Sequence, residues 1–95
     1  MQVKVYKIMF TTPSGGHWFL HIKPYASNWE KYSLYSKEEA DKADSYASAA
    51  VAELFIGEFR KQHPNWVYAS RPGRGMRVKY ERLTAHVVEF IAEVL

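Results

Sequence analysis

The stretch SKEEADKADSYASAAVAELFIGEFRKQH, residues 36–63, determines the fold class of this 95-residue chain. It opens with Ser36 and Glu39 at the spacing of a capping box, in which each side chain accepts a hydrogen bond from the backbone amide of the other residue. Pro64 follows directly, and the residue before a proline is disfavoured in a helix. We therefore predict one long helix over about residues 36–62.

Apolar residues recur through this segment at helical spacing and predict the face that packs on the rest of the protein. The first half of the stripe is alanine, which lets a helix approach a sheet closely. Ile56 lies off the stripe, so we expect its side chain to be exposed. The predicted buried face consists of Ala40, Ala43, Ala47, Ala50, Val51, Leu54 and Phe55.

The residues before the helix predict strands. A β-branched and aromatic run covers 3–10. Near Tyr6 its apolar residues change from odd-numbered to even-numbered positions, which predicts a bulge. Turn formers at 12–16 separate it from 17–23, where apolar and polar residues alternate, so we expect a β-hairpin. Residues 32–35 predict a short third strand.

After the helix, 65–70 and 76–82 predict two more strands joined by a turn at 71–75. Thr84, a suitable N-cap, precedes an apolar stripe at helical spacing, which predicts a C-terminal helix that docks on the sheet or on a second copy. The order β-β-(β)-α-β-β-α predicts a single α+β domain, 1–95. We expect a mainly antiparallel sheet of four to five strands, with both helices on one face.

Composition excludes several classes of protein. The apolar fraction of 47% and aromatic fraction of 16% are typical of a folded chain. The absence of cysteine excludes disulfides, thiolate zinc sites and cysteine nucleophiles. No signal peptide or membrane-spanning segment is visible in the sequence, so we expect a cytoplasmic protein without a membrane partner.

The polar residues give little support for catalysis. His17 and His21 are four residues apart, but on a strand this separation is about 13 Å, too far for two ligands of one metal ion. His86, Glu89 and Glu93 would share a helical face, where solvation is the simpler explanation. We expect no enzyme, no metal site and no cofactor, and keep a metal-dependent or hydrolytic enzyme as a third hypothesis.

Two segments partly resemble known families. Residues 5–8 and 15–19 resemble the opening hairpin of the GIY-YIG nucleases, but the second half of that motif is absent and no site residue is transferred. Residues 16–40 are similar in layout to the arm-binding domains of phage-type integrases, whose three strands precede a helix. That likeness covers under half of the chain and lacks the basic strands of that family.

The basic residues of the predicted hairpin, 71–82, are the main functional candidates. Residues 64–83 carry a net charge of +4, and a two-stranded ribbon with a basic tip can track a nucleic-acid backbone. Tyrosine and tryptophan of the loop 25–35 are typical of recognition surfaces and can stack on bases. The candidate binding residues are Arg71, Arg74, Arg77, Lys79, Arg82, Tyr25, Trp29 and Tyr32.

These features favour a small non-enzymatic module that contacts nucleic acid or a nucleoprotein complex. The alternative is a small virus-type inhibitor or adaptor, of the anti-defence, anti-CRISPR-like or host-takeover class, that docks on a host protein. An acidic partner protein could use the same arginines, so charge alone does not separate the two hypotheses.

Overall fold

A computed structural model of the protein describes residues 1–23, 32–64, 67–70, 75, 77 and 79–93. The fold is α+β, with a four-stranded antiparallel sheet, a separate two-stranded ribbon and helical segments between the strands. The elements are β1 (Gln2–Thr11), β2 (His17–Ile22), β3 (Tyr32–Tyr35), a 3-10 helix (Lys37–Lys42), α1 (Ala49–Gln62), β4 (Val67–Ser70), β5 (Lys79–Arg82) and β6 (Thr84–Glu93).

The main sheet has the order β3-β2-β1-β6, with every neighbouring pair antiparallel. The β1–β6 ladder runs without a break from Gln2 opposite Glu93 to Thr11 opposite Thr84. The predicted bulge near Tyr6 is therefore wrong for this ladder. The apolar residues change from odd-numbered to even-numbered positions for another reason, which is that side chains on both faces of β1 are buried.

Two hydrophobic clusters lie on opposite faces of the sheet. On one face, the even-numbered Ile8 and Phe10 of β1 pack with Ile56 and Phe59 of α1. On the other face, Phe19 of β2 packs with two alanines near the 3-10 helix, Ala40 and Ala43. The prediction that the helical elements would cover one face is wrong, since they cover both.

The long helix predicted for 36–62 is divided in two. Ser36 has extended backbone angles and makes no side-chain cap, and Glu39 departs from helical geometry at φ −109° and ψ 19°. The predicted capping box is therefore not formed. A second helix, α1, begins after Ser48, whose Oγ accepts from the Val51 amide at 3.2 Å.

The segment between the two helices passes through the sheet where β1 and β2 diverge. The Asp44 amide donates to the Leu20 carbonyl of β2 at 3.1 Å, and Tyr46 exchanges two backbone hydrogen bonds with Tyr6 of β1, at 2.9 and 2.7 Å. The side chain of Asp44 also accepts from the Ile22 amide at 2.8 Å. These backbone groups are used across the sheet, which is why the helix cannot continue through them.

The predicted C-terminal helix is wrong, because Thr84–Glu93 forms strand β6 at one edge of the main sheet. Val88 and Phe90 differ by two positions and share a face, while Val87 lies on the face that α1 covers. His86, Glu89 and Glu93 therefore do not share one helical face, and a homodimer formed through a terminal helix has no structural basis in the described residues.

The ribbon pairs β4 with β5, from Val67 opposite Arg82 to Ser70 opposite Lys79. This confirms the predicted pairing after α1 but shortens the second strand, which begins at Lys79 rather than at residue 76. A single residue, Leu83, separates β5 from β6, so the ribbon extends almost directly from the edge strand of the main sheet.

Candidate nucleic-acid interface

A cavity of about 210 Å³ lies at the base of the ribbon, where α1 ends and where β5 ends and leads into β6. Its apolar side is formed by Phe10 and Phe59, and its polar side by Arg60, His63 and Arg82. Pro64, Leu83 and Ala85 complete the lining. Three separate parts of the chain, the sheet, the helix end and the ribbon, thus contribute to one site.

The end of α1 places its cations beside this cavity. Phe59 is buried against the sheet, and its ring lies 5.4 Å from that of Phe10, centroid to centroid. Arg60 is the next residue, and the His63 amide caps the helix by donating to the Phe59 carbonyl at 2.8 Å. Positive side chains near a helix C-terminus are favoured by the helix dipole, so the position suits Arg60 and Lys61 structurally as well.

The arginine side chains that line the cavity have no carboxylate beside them in the lining. The lining includes two arginines and a histidine but no carboxylate. Among the described residues, no ion pair involves Arg60 or Arg82, whereas Lys61 pairs with Glu58 at 3.3 Å. A guanidinium group presents several donors in a plane that match the oxygens of a phosphate or carboxylate. The site is therefore suited to an anionic group.

Tyr32, one of the residues proposed from sequence, fixes the histidine of this cavity. The Oη of Tyr32 lies 3.0 Å from His63 Nε2 and donates to Gln62 Oε1 at 3.4 Å. The Tyr32 ring also meets the rings of Phe59 and His63 edge-on, at 5.1 and 5.0 Å. Tyr32 acts in this cluster as a packing and positioning residue.

The predicted binding residues are only partly brought together. Arg82 lines the cavity, Arg77 is exposed before β5, and Lys79 belongs to β5. Arg77 lies outside the strand that contains Lys79. The remaining proposed residues, Arg71, Arg74, Tyr25 and Trp29, lie outside the described residues.

Sequence reasoning missed Arg60, His63 and Tyr80. Tyr80 is 67% exposed. It lies two positions from Arg82 in β5, so both side chains project from the same face of the ribbon. The signal for Arg60 and His63 was their place at the helix end, but their proximity to Arg82 depends on the return of the chain through β5.

A second concave surface lies on the other side of Phe59. This apolar groove of about 290 Å³ runs between α1 and the ends of β2 and β3, and Leu54 and Phe55 form its exposed wall. The expected helix face is wrong here, because Ile56 is buried while Leu54 and Phe55 are 70% and 45% exposed. The groove is lined by Ile22, Tyr32, Leu54, Phe55, Glu58, Phe59 and Gln62.

The remaining polar contacts are structural in character. His17 and His21 both lie in β2, as predicted, and His21 Nδ1 is 2.7 Å from Asp44 Oδ1. His86 Nε2 lies 3.0 Å from Thr11 Oγ1. Within the described part of the chain, no three histidine or acidic residues are grouped to hold a metal ion, and no helix has the length and apolar character to cross a membrane.

Comparison with protein-family models, with curated proteins and with solved structures finds no significant match to this chain.

Proposed function

We propose that the protein is a small non-enzymatic binding module that contacts nucleic acid, alone or within a nucleoprotein complex, through the base of the β4–β5 ribbon. The observation that supports this most directly is the cavity that Arg60, His63 and Arg82 line together without a carboxylate. Arg77, exposed and outside any ion pair of the described residues, adds a further cation nearby in sequence. Contacts of this kind bind phosphates and are mostly independent of base sequence.

The salt dependence of binding tests this proposal. A protein that neutralises phosphates releases counterions, so the logarithm of affinity should fall with the logarithm of salt concentration at a slope of roughly −3 to −5 for this patch. We expect Arg77→Gln combined with Arg82→Gln to weaken binding of a labelled oligonucleotide and to make the slope shallower by roughly 1 to 2.

The matched control is Lys37→Gln combined with Lys61→Gln, which removes the same charge from exposed residues that do not line the cavity. If both double variants weaken binding equally, the two arginines contribute no more to binding than lysines elsewhere on the surface. Oligonucleotide binding that does not respond to salt would overturn the proposal.

The apolar groove favours a second candidate function, docking on another protein as an inhibitor or adaptor. An exposed leucine beside a half-exposed phenylalanine at a concave surface is typical of an anchor site in protein recognition. A pull-down from host lysate, with and without nuclease, separates the two functions. Loss of the captured material after nuclease supports nucleic-acid contact, whereas nuclease-resistant capture that Leu54→Ser abolishes supports docking.

A further inference from the structure

The exposed ring of Tyr80 and the cationic cavity lie next to each other on the ribbon. Residues two apart on a strand are separated by about 6.6 to 6.8 Å, so Tyr80 and Arg82 form adjacent positions on one face. Val67, which pairs with Arg82 across the ribbon, is also partly exposed, so this face combines an apolar surface with positive charge.

We infer that this surface binds single-stranded nucleic acid, with one base stacked on Tyr80 and a neighbouring phosphate in the cavity lined by Arg60, His63 and Arg82. The inference rests on the proposed function and specifies its ligand. Single-strand binders combine an aromatic stacking surface with a positively charged groove, because an unpaired base exposes its ring face. In a duplex that face is covered by the neighbouring base pairs, so Tyr80 would have nothing to stack on.

The size of the cavity agrees with a small anionic group. At about 210 Å³ it is smaller than the roughly 300–1,000 Å³ of sites that enclose a drug-sized molecule. It suits one phosphate with part of its sugar, the phosphate near the two guanidinium groups and the sugar near Phe10 and Phe59. Arg60 at the end of α1 and Arg82 on the ribbon both supply positive charge to the cavity. We therefore expect phosphate binding to depend on both side chains.

Binding of matched single-stranded and duplex oligonucleotides of about 12 nucleotides, at one salt concentration, tests the inference. We expect tighter binding of the single strand. Tyr80→Ala should weaken it about 5- to 150-fold, while Tyr80→Phe, which keeps the ring, should retain most of the affinity. An oligonucleotide with abasic positions should bind the wild type about as weakly as the intact strand binds Tyr80→Ala.

The phosphate part is tested separately with Arg60→Gln against Lys61→Gln, since the neighbouring Lys61 is exposed, paired with Glu58 and outside the cavity. We expect Arg60→Gln to weaken single-strand binding by about tenfold or more and Lys61→Gln by under threefold. Circular dichroism melting of each variant verifies that folding is retained.

The outcomes separate the single-strand inference from the proposed function. Salt-dependent binding that is equal for duplex and single strand and unchanged in Tyr80→Ala overturns this inference but leaves the proposed function standing. Equal effects of Arg60→Gln and Lys61→Gln overturn the phosphate site. Absence of binding to either oligonucleotide overturns both the inference and the proposed function.

Discussion

The Nζ of Lys7 donates to the backbone carbonyl of Ala43 at 2.9 Å and to Ser45 Oγ at the same distance, from a side chain that is almost completely buried. The amine also lies 5.8 Å from the centre of the Phe90 ring. Burial lowers the pKa of Lys7, and the attraction of Asp44 and Asp41 partly opposes that shift. A lysine in β1 thus holds the segment that passes between β1 and β2.

Replacing this lysine should destabilise the protein. Lys7→Met keeps the apolar length but leaves the Ala43 carbonyl without its donor, and we expect a loss of roughly 1–3 kcal/mol in the free energy of unfolding. Lys4→Met is the control, since Lys4 is mostly exposed and its ion pair with Glu89 should contribute little. Urea denaturation measures both. Equal stability of Lys7→Met and wild type would show that the buried hydrogen bonds contribute nothing net.

The carboxylate of Asp44 should contribute to stability through two partners. It accepts from the Ile22 amide at 2.8 Å and lies 2.7 Å from His21 Nδ1. We expect Asp44→Ala to cost about 1–3 kcal/mol because the Ile22 amide loses its acceptor. Asp41→Ala, a change of the same kind at an exposed residue, should cost under about 0.5 kcal/mol. Thermal melting compares the two, and similar losses in both variants would contradict the prediction.

Tyr46 should make stability fall in alkaline solution. Burial, with a smaller effect of Asp44, raises the pKa of its phenol to about 12 from 10.0. The folded state therefore keeps this proton between pH 10 and 12 while the unfolded state releases it. Its contribution to stability is fully present below pH 10 and decreases by about 1.4 kcal/mol per pH unit as the pH rises towards 12.

The difference in unfolding free energy between wild type and Tyr46→Phe isolates this contribution, because Lys7, whose pKa is lowered, contributes with the opposite sign in both proteins. We expect the wild type to lose stability relative to Tyr46→Phe between pH 10 and 12. Parallel curves for the two proteins across this range would show that the phenol of Tyr46 titrates as it does when unfolded.

The buried face of α1 gives a fourth prediction. Ile56 is 3% exposed, so Ile56→Ala should leave a cavity and cost about 2–4 kcal/mol. Leu54→Ala, on the exposed wall of the groove, should cost under about 1 kcal/mol. Chemical denaturation of both variants measures the order. If Leu54→Ala were the more damaging, the helix face that the sequence pattern predicts would be the correct one.

The strands before the helix were predictable because each has a local signal. The alternation at 17–22 and the turn formers before it indicate β2, and Gly15 adopts a positive φ of 92° in that turn. The short β3 also lies where its tyrosines and leucine predicted it. These features depend on neighbouring residues alone, which is why the sequence is sufficient.

The C-terminal strand was not predictable from its own residues. Both faces of β6 are partly buried, so apolar side chains fall at odd and even positions and imitate a helical stripe. Its identity as a strand comes from pairing with β1, more than 70 residues earlier in the chain. Similarly, α1 has two adjacent apolar faces. The sequence pattern predicts that the larger one is buried, whereas the structure buries the smaller one, with Ala52, Ile56 and Phe59.

The candidate site was half predictable. Arg82 was identified by the density of cations around it, while Arg60 and His63 belong to a different element. They meet Arg82 because β5 continues into β6 through Leu83 alone, which returns the ribbon to the helix end. Counting charges along the sequence cannot show that the ribbon returns to the end of α1.

The passage of the chain between β1 and β2 sets a limit on length. Six residues, 43–48, connect helical layers on opposite faces of the sheet, and the first and last of them are extended, with ψ of 158° and 156°. Within it, Asp44 is bonded to Leu20 of β2 and Tyr46 to Tyr6 of β1, so the two strands fix the spacing of these residues. A residue inserted or removed between Asp44 and Tyr46 would take one of these hydrogen bonds out of register and detach the linker from one of the two strands.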